Sequence, residues 1–184
     1  MMNKQILTIV LLSVSMGLSA QKYLTKAGKI HFLSTTPMEK IEGTSKTASS
    51  VYDSSTGNLE WAVLVKSFAF EKALMEDHFN ENYMESTKFP KAKFKGKVGN
   101  ALAINLKKDG NYTADISGSI EIHGVTKPVS TTATFTVKGG KIQANTKFEV
   151  KVADFNIEIP SVVKEKIAKT VIIDVSTDYT AYVQ

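Results

Sequence analysis

Residues 74–96 read LMEDHFNENYMESTKFPKAKFKG. Leu74, Met75, His78, Phe79 and Tyr83 recur at spacings of three and four, which predicts a short helix carrying these side chains on one face. Thr87-Lys88-Phe89-Pro90 ends that period, because proline disfavours helix at the residue before it. Alternation follows at once: Ala92, Phe94 and Gly96 face one way, Lys93, Lys95 and Lys97 the other, as in a strand with one apolar face. A helical interruption thus feeds a lysine-rich strand, and most of the chain outside it alternates as antiparallel sheet does.

Toward the N-terminus, residues 58–70 predict one long strand with Leu59, Trp61, Val63 and Val65 on a common face and Phe68 near its end. Residues 41–52 are polar, predict a weaker strand, and lead into the turn signal Asp53-Ser54-Ser55-Thr56-Gly57. Residues 29–34 form the first convincing strand, with Ile30 and Phe32 on one side, His31 and Leu33 on the other, and Pro37 beyond it. Toward the C-terminus, residues 99–108 fit either a strand continuation or a loop with one helical turn. Tyr112 to His123 alternates, with Ile116, Gly118, Ile120 and Ile122 on one face. Gly124-Val125-Thr126-Lys127 predicts a tight turn. In Val129 to Val137, Ala133, Phe135 and Val137 oppose Ser130, Thr132, Thr134 and Thr136. Gly139-Gly140 predicts a two-residue hairpin loop. Ile142, Ala144, Thr146, Phe148 and Val150 align in the next strand. Pro160 to Lys169 predicts a second short helix, with the proline in its first turn. Val171, Ile173, Val175 and Tyr179 align in the closing strand. Many evenly spaced strands with short turns predict an all-β barrel or sandwich.

Several stretches carry a more specific likeness. The run His78…Tyr83-Met84…Phe89-Pro90-Lys91-Ala92…Phe94-Lys95-Gly96, the run Gly118-Ser119-Ile120-Glu121-Ile122-His123-Gly124-Val125-Thr126-Lys127-Pro128-Val129, and the later Phe148-Glu149-Val150 and Asp154-Phe155-Asn156-Ile157 resemble the YceI-like family, the lipocalin-like, polyisoprenoid-binding barrel proteins. The resemblance covers most of the chain after residue 60. It selects an eight-stranded antiparallel lipocalin-like barrel with two short helices, a size that holds one small ligand in its interior. It implies an isoprenoid or other long-chain amphiphilic lipid as the partner. One departure is Ser34-Thr35-Thr36-Pro37, where many relatives carry a histidine.

Residues 1–20 have the layout of a secretory signal: Lys4, an apolar run from Ile6 to Gly17, and Leu18-Ser19-Ala20 before Gln21. The run is shorter than a membrane span, and no cysteine follows it to take a lipid anchor. The expected product is residues 21–184 as a single YceI-like barrel domain, periplasmic or secreted. With no cysteine in the chain there is neither a disulfide framework nor thiol chemistry. All 23 basic residues are lysines, and the formal net charge is +5. Arginine is preferred for bidentate phosphate recognition, so the balance predicts a solvated barrel wall and no nucleic-acid partner. Transient membrane contact is compatible with it.

The three histidines, His31, His78 and His123, share no metal-ligand spacing, so no metal and no cofactor are expected. Glu76 and Asp77 flank His78, but no positioned nucleophile accompanies them, and no catalytic residue is assigned. The same holds for dinucleotide, P-loop and serine-hydrolase fingerprints, which do not occur; Asn111-Tyr112-Thr113 matches a glycosylation triplet that arises often by chance. What remains is apolar binding. The inward candidates are Phe32, Trp61, Val63, Val65 and Phe68 from the first half; Leu74, His78, Phe79 and Tyr83 from the helical interruption; and Phe94, Ile120, Phe135, Phe148 and Ile173 from the later strands. Gly96, Gly118, Ala133 and Ala144 on the same faces leave room for a ligand. The alternatives are a filled barrel that serves as a structural or interaction protein, and a small hydrolase or isomerase using His78.

Overall fold

The structure is a computed structural model and describes residues 22–182. The expected signal segment and the junction before Gln21 lie outside the described residues. Eight antiparallel strands close into a barrel in sequence order: β1 (Lys22–Thr35), β2 (Lys40–Asp53), β3 (Asn58–Leu64), β4 (Lys91–Val98), β5 (Gly110–Ile122), β6 (Val125–Lys138), β7 (Lys141–Lys151) and β8 (Thr170–Tyr182). Closure pairs β1 with β8, as in Phe32 opposite Ile173, so neither terminal strand presents a free edge to template aggregation.

The lysine strand β4 behaves as its alternation demands. Lys91, Lys93, Lys95 and Lys97 are exposed while Ala92, Phe94 and Gly96 turn inward. Lys93 pairs with Glu121 at 3.1 Å and Lys95 with Glu60 at 3.3 Å, so the basic face is a wall of exposed cross-strand pairs, each contributing only a few tenths of a kcal/mol.

Strand β1 starts seven residues before the expected Lys29. Its inward set is Tyr23 and Thr25, then Gly28, Ile30, Phe32 and Ser34. Register shifts on either side of Gly28 break the two-residue period there. A bulge inserts an unpaired residue and flips the facing pattern, which is why Tyr23 and Ile30 do not read as one strand.

Three expectations are corrected. The long strand over residues 58–70 stops at Leu64, and Val65–Ser67 form a 3-10 turn. Val65 N–H donates to Pro90 O, which turns the chain over the barrel's end. Residues 44 and 69 then exchange two backbone hydrogen bonds of 3.0 Å. The tight turn is His123-Gly124 and not residues 124–127: both have positive φ, 50° and 71°, the mirror-image turn that matches strand twist, so Val125 already belongs to β6. The second helix is not formed. Residues 160–169 contain only the 3-10 turn Ser161–Val163, and the segment stretches across the barrel's end with Ala168 N–H held by Ser34 Oγ at 2.9 Å. Two adjacent valines are poor helix formers, and apolar contact beneath the segment sets its path. Residues 99–108, open between strand and loop, hold the 3-10 turn Ala101–Ala103, and Ile104 plugs the core.

The helix α1 (Ala73–His78) continues through a π-helical turn, Phe79–Tyr83. It lies at the end where the β1–β2 turn and the long β3–β4 and β7–β8 connections gather. The opposite end is packed solid by Tyr23, Tyr52, Leu59, Val98, Ile116 and Val137, among others.

Candidate functional site

Above that solid floor the barrel is hollow. A cavity of about 580 Å³ runs from Phe135 and Tyr179 at the bottom to Leu74 and His78 at the top. That is a volume typical of sites for small organic ligands. Its walls follow from the strand period: the inward residues of β3 to β8 are the alternate apolar ones, and Ala133 and Ala144 leave the space that larger side chains would fill.

Every one of the expected inward residues lines this cavity. Phe135 sits low, Trp61, Phe94, Ile120, Phe148 and Ile173 form the middle wall, and Val63, Val65, Phe68 and Phe32 lead to the mouth. Leu74, His78, Phe79 and Tyr83 come in from the cap.

Gly96 and Gly118 do not provide ligand space. They pair across β4 and β5, and a Cβ on either would lie within 2.9 Å of Phe94 Cζ. The glycines make room for the Phe94 ring, which covers them.

At the mouth four phenylalanines interlock. Phe79 lies 5.0 Å from Phe70 and 5.8 Å from Phe68, and Phe32 lies 5.6 Å from Phe70 and 5.7 Å from Phe68. Such offset and tilted pairs each add about 0.5–1.5 kcal/mol beyond area burial. The cluster fastens the cap to β1 while leaving ring faces toward the cavity. Phe70 escaped notice because it follows the bend at Val65, where the strand period no longer applies. Ile157, Ile159, Val163 and Ile167 also line the cavity, from the extended β7–β8 connection. Their spacing of two, then four, is the signal that would have found them.

The polar groups are few: most lie at the two ends, and Thr131, Asn145 and Thr146 add a small polar patch from β6 and β7. At the mouth Glu39 and Lys166 line the cavity 3.9 Å apart, and Lys72 joins them. At the floor Tyr179 Oη and Ser50 Oγ are 2.7 Å apart, and burial pushes the Tyr179 phenol well above its ordinary range. Burial likewise raises Tyr52, to about 12. The Tyr52 hydroxyl has no partner among the described residues.

Among the described residues nothing converges on His78 as general acid–base chemistry would require. It is exposed, and its cavity neighbours Leu74, Met75 and Phe79 are apolar. The Glu76 carboxylate instead accepts from Phe70 N–H at 3.2 Å. His31 points outward, 3.1 Å from Glu42 and 3.8 Å from Asp174. Lys40 and then His31 hold the Glu42 carboxyl below its ordinary range. Among the described residues no three His, Cys, Asp or Glu side chains are grouped to hold a metal ion, and no helix is long and apolar enough to cross a membrane.

The sequence profile described as YceI-like domain matches residues 23–179. A UPF0312 protein of Pseudomonas fluorescens is 33% identical over 105 residues, which cover 54% of this chain and 49% of that protein. The matched stretch thus spans about half of that relative's length. Among solved structures, a polyisoprenoid-binding domain from Saccharophagus degradans implicated in plant cell wall breakdown superposes with a TM-score of 0.76 at 17% identity, covering 89% of this chain and 99% of that one. BcnA of Burkholderia cenocepacia superposes with a TM-score of 0.68 at 17% identity, covering 83% of this chain and 96% of that one.

Proposed function

The chain belongs to the YceI-like domain family, and from that premise we propose that it is an exported protein that sequesters or carries an amphiphilic lipid of isoprenoid type inside the barrel. The observation that carries this reading is the cavity of about 580 Å³, whose walls are predominantly apolar along its length. Each methylene transferred into such walls contributes about 0.8 kcal/mol, so a long chain binds well without polar contacts. The polyisoprenoid-binding description of the Saccharophagus domain, which shares the fold, makes a branched isoprenoid the leading chain.

The headgroup sits at the mouth, among Lys72, Lys166, Glu39 and His78. This end meets a membrane transiently: Leu74 lines the cavity yet is 66% exposed, and Met38 and Val162 expose apolar side chains on the neighbouring connections. The reading is one of binding: the cavity neighbours of His78 are the apolar Leu74, Met75 and Phe79. The exposed lysines belong to the barrel wall and serve no nucleic acid. A barrel filled throughout does not fit the hollow above Phe135.

Extraction of the folded protein, purified from its native host, with organic solvent followed by lipid mass spectrometry tests this reading. One chain-like lipid near stoichiometric amount is expected; a lipid-free protein that also fails to take up added polyprenol overturns it. Intact mass from the same preparation tests export, with a chain beginning at Gln21 expected.

A further inference from the structure

The barrel wall has two seams where the ladder gives out, and they are closed differently. Between β2 and β3 pairing stops at Ser49 opposite Ala62. Above it residues 44 and 69 exchange two backbone hydrogen bonds, and Ser45 Oγ meets Ser67 Oγ at 2.8 Å. Main chain therefore seals that seam. Between β6 and β7 pairing runs from Lys138–Lys141 up to Ala133–Thr146 and ends. Residues 125–132 of β6 and 147–151 of β7 have no ladder between them. Where they part, Thr146 Oγ1 donates to Thr132 O at 2.7 Å and Thr131 Oγ1 to Lys147 O at 3.0 Å. Beyond that point the gap is filled by the turn Val152–Phe155, whose Val152 and Phe155 side chains are buried and line the cavity.

One ring holds this turn in place. His123 Nδ1 donates to Phe155 O at 3.0 Å, and His123 Nε2 lies 2.8 Å from Glu85 Oε2. The ring also meets Phe89 edge-on at 4.5 Å. The β5–β6 turn, the end of the helical cap and the β7–β8 connection are thus joined through a single side chain that is 9% exposed. Positive φ gathers at the same junction: 42° at Glu85, 50° at His123 and 54° at Asn156. Such conformations persist where surrounding contacts over-determine them, and they cluster at clamps and switches. Glu85 and His123 do not themselves line the cavity.

We propose that the β6–β7 seam is the gate through which the bound chain leaves and enters, and that His123 with Glu85 is its latch. The proposal rests on the lipid-binding reading above and adds the route and its control. When the latch opens, the turn 152–155 swings away and uncovers the side of the cavity at Val129, Thr131 and Phe148. A chain then exchanges sideways, without unthreading past the phenylalanine cluster at the mouth.

The test uses the full protein and a dansyl-labelled undecanoic acid as probe. Trp61, the only tryptophan in the chain, lines the cavity, so energy transfer from it to the probe reports occupancy. Release is timed after chasing with unlabelled fatty acid. Two variants open the latch: His123→Ala, and Glu85→Gly, which removes the carboxylate at a position whose positive φ suits glycine. Both are expected to release the probe at least tenfold faster, with saturating occupancy unchanged, and to lose amide-exchange protection at residues 152–157. Release within twofold of wild type in Glu85→Gly, with that protection intact, overturns the latch while leaving lipid binding standing. A wild-type protein that takes up no probe or polyprenol overturns both.

Discussion

Phe79 stacks on Phe32 with ring centroids 5.2 Å apart and planes 13° from parallel. The contact joins the first residue of the π-helical turn to the last stretch of β1, and so the cap to the barrel. π-turns recur at functional sites because they displace side chains from the regular helical positions. Here the turn sets Phe79 against Phe32, Phe68 and Phe70 at once.

Phe79→Ala is therefore expected to loosen the cap. Half-buried and flanked by an existing cavity, the ring contributes less than a fully packed phenylalanine, and a stability loss of about 2 kcal/mol is expected in urea denaturation. Probe affinity should fall by about tenfold. A variant with wild-type affinity and midpoint would show that the four-ring cluster neither holds the cap nor touches the ligand.

Gly124 combines two constraints. Its φ of 71° disfavours any side chain, and a Cβ there would lie 2.5 Å from Phe89 Cε1. Gly124→Val is expected to cost about 1–3 kcal/mol through backbone strain, with the contact against Phe89 pushing it to the upper end. An unchanged denaturation midpoint would mean the turn can be rebuilt without positive φ.

Which parts of the molecule could be read in advance follows from where local chemistry and tertiary contact agree. In β4 each outward residue is Lys, in β6 from Val129 to Val137 each is Ser or Thr, and most inward ones are apolar, so one slip of register would expose a whole row; both strands were legible. The inward residues of β2 are Gly43, Ser45, Ala48, Ser50 and Tyr52, whose composition signals only a weak strand. Serines sit inside because each finds a hydroxyl partner, Ser50 in Tyr179 and Ser45 in Ser67. The lining of the cap side was legible at Leu74, His78, Phe79 and Tyr83, where helical spacing holds. It was hidden at Phe155, which is placed by a long connection between strands. The His123 latch was legible only as a residue beside a turn, since Glu85 and Phe155 are brought to it by the closure of the whole barrel.

The floor contains a test of pH dependence. Burial raises Tyr52 to about 12 from its ordinary value near 10 and raises Tyr179 further, so the folded state favours the neutral phenols. A raised folded value means that this stabilisation is fully present below pH 10 and is lost as pH climbs through about 12. Stability measured by urea denaturation should fall steeply above pH 10. Because the Tyr52 hydroxyl is buried without a partner among the described residues, Tyr52→Phe should leave neutral-pH stability equal or about 1 kcal/mol higher and make the alkaline fall shallower. A loss of more than about 1 kcal/mol at neutral pH would reveal a buried water bonded to that hydroxyl.

Phe135 marks the boundary between packed floor and cavity, and it separates the hollow barrel from the filled one. It is 1% exposed, lies 5.5 Å from Tyr52 below it, and lines the cavity above. Its cross-strand neighbours are Tyr112 on β5 and Ala144 on β7. The added ring of a tryptophan has no room toward Tyr52, where an overpacked core typically costs about 1–3 kcal/mol. Over Ala144 it projects upward into the cavity and meets no close-packed wall. Phe135→Trp is therefore expected to lose less than about 1 kcal/mol in delipidated protein, because the hollow takes the extra volume. The same ring shortens the space for a chain, so long polyprenols should bind markedly worse than short ones, which still fit above the new side chain. Wild-type retention of long chains combined with a large stability loss would mean that position 135 belongs to a filled core and that the usable cavity ends higher, near Trp61 and Phe148.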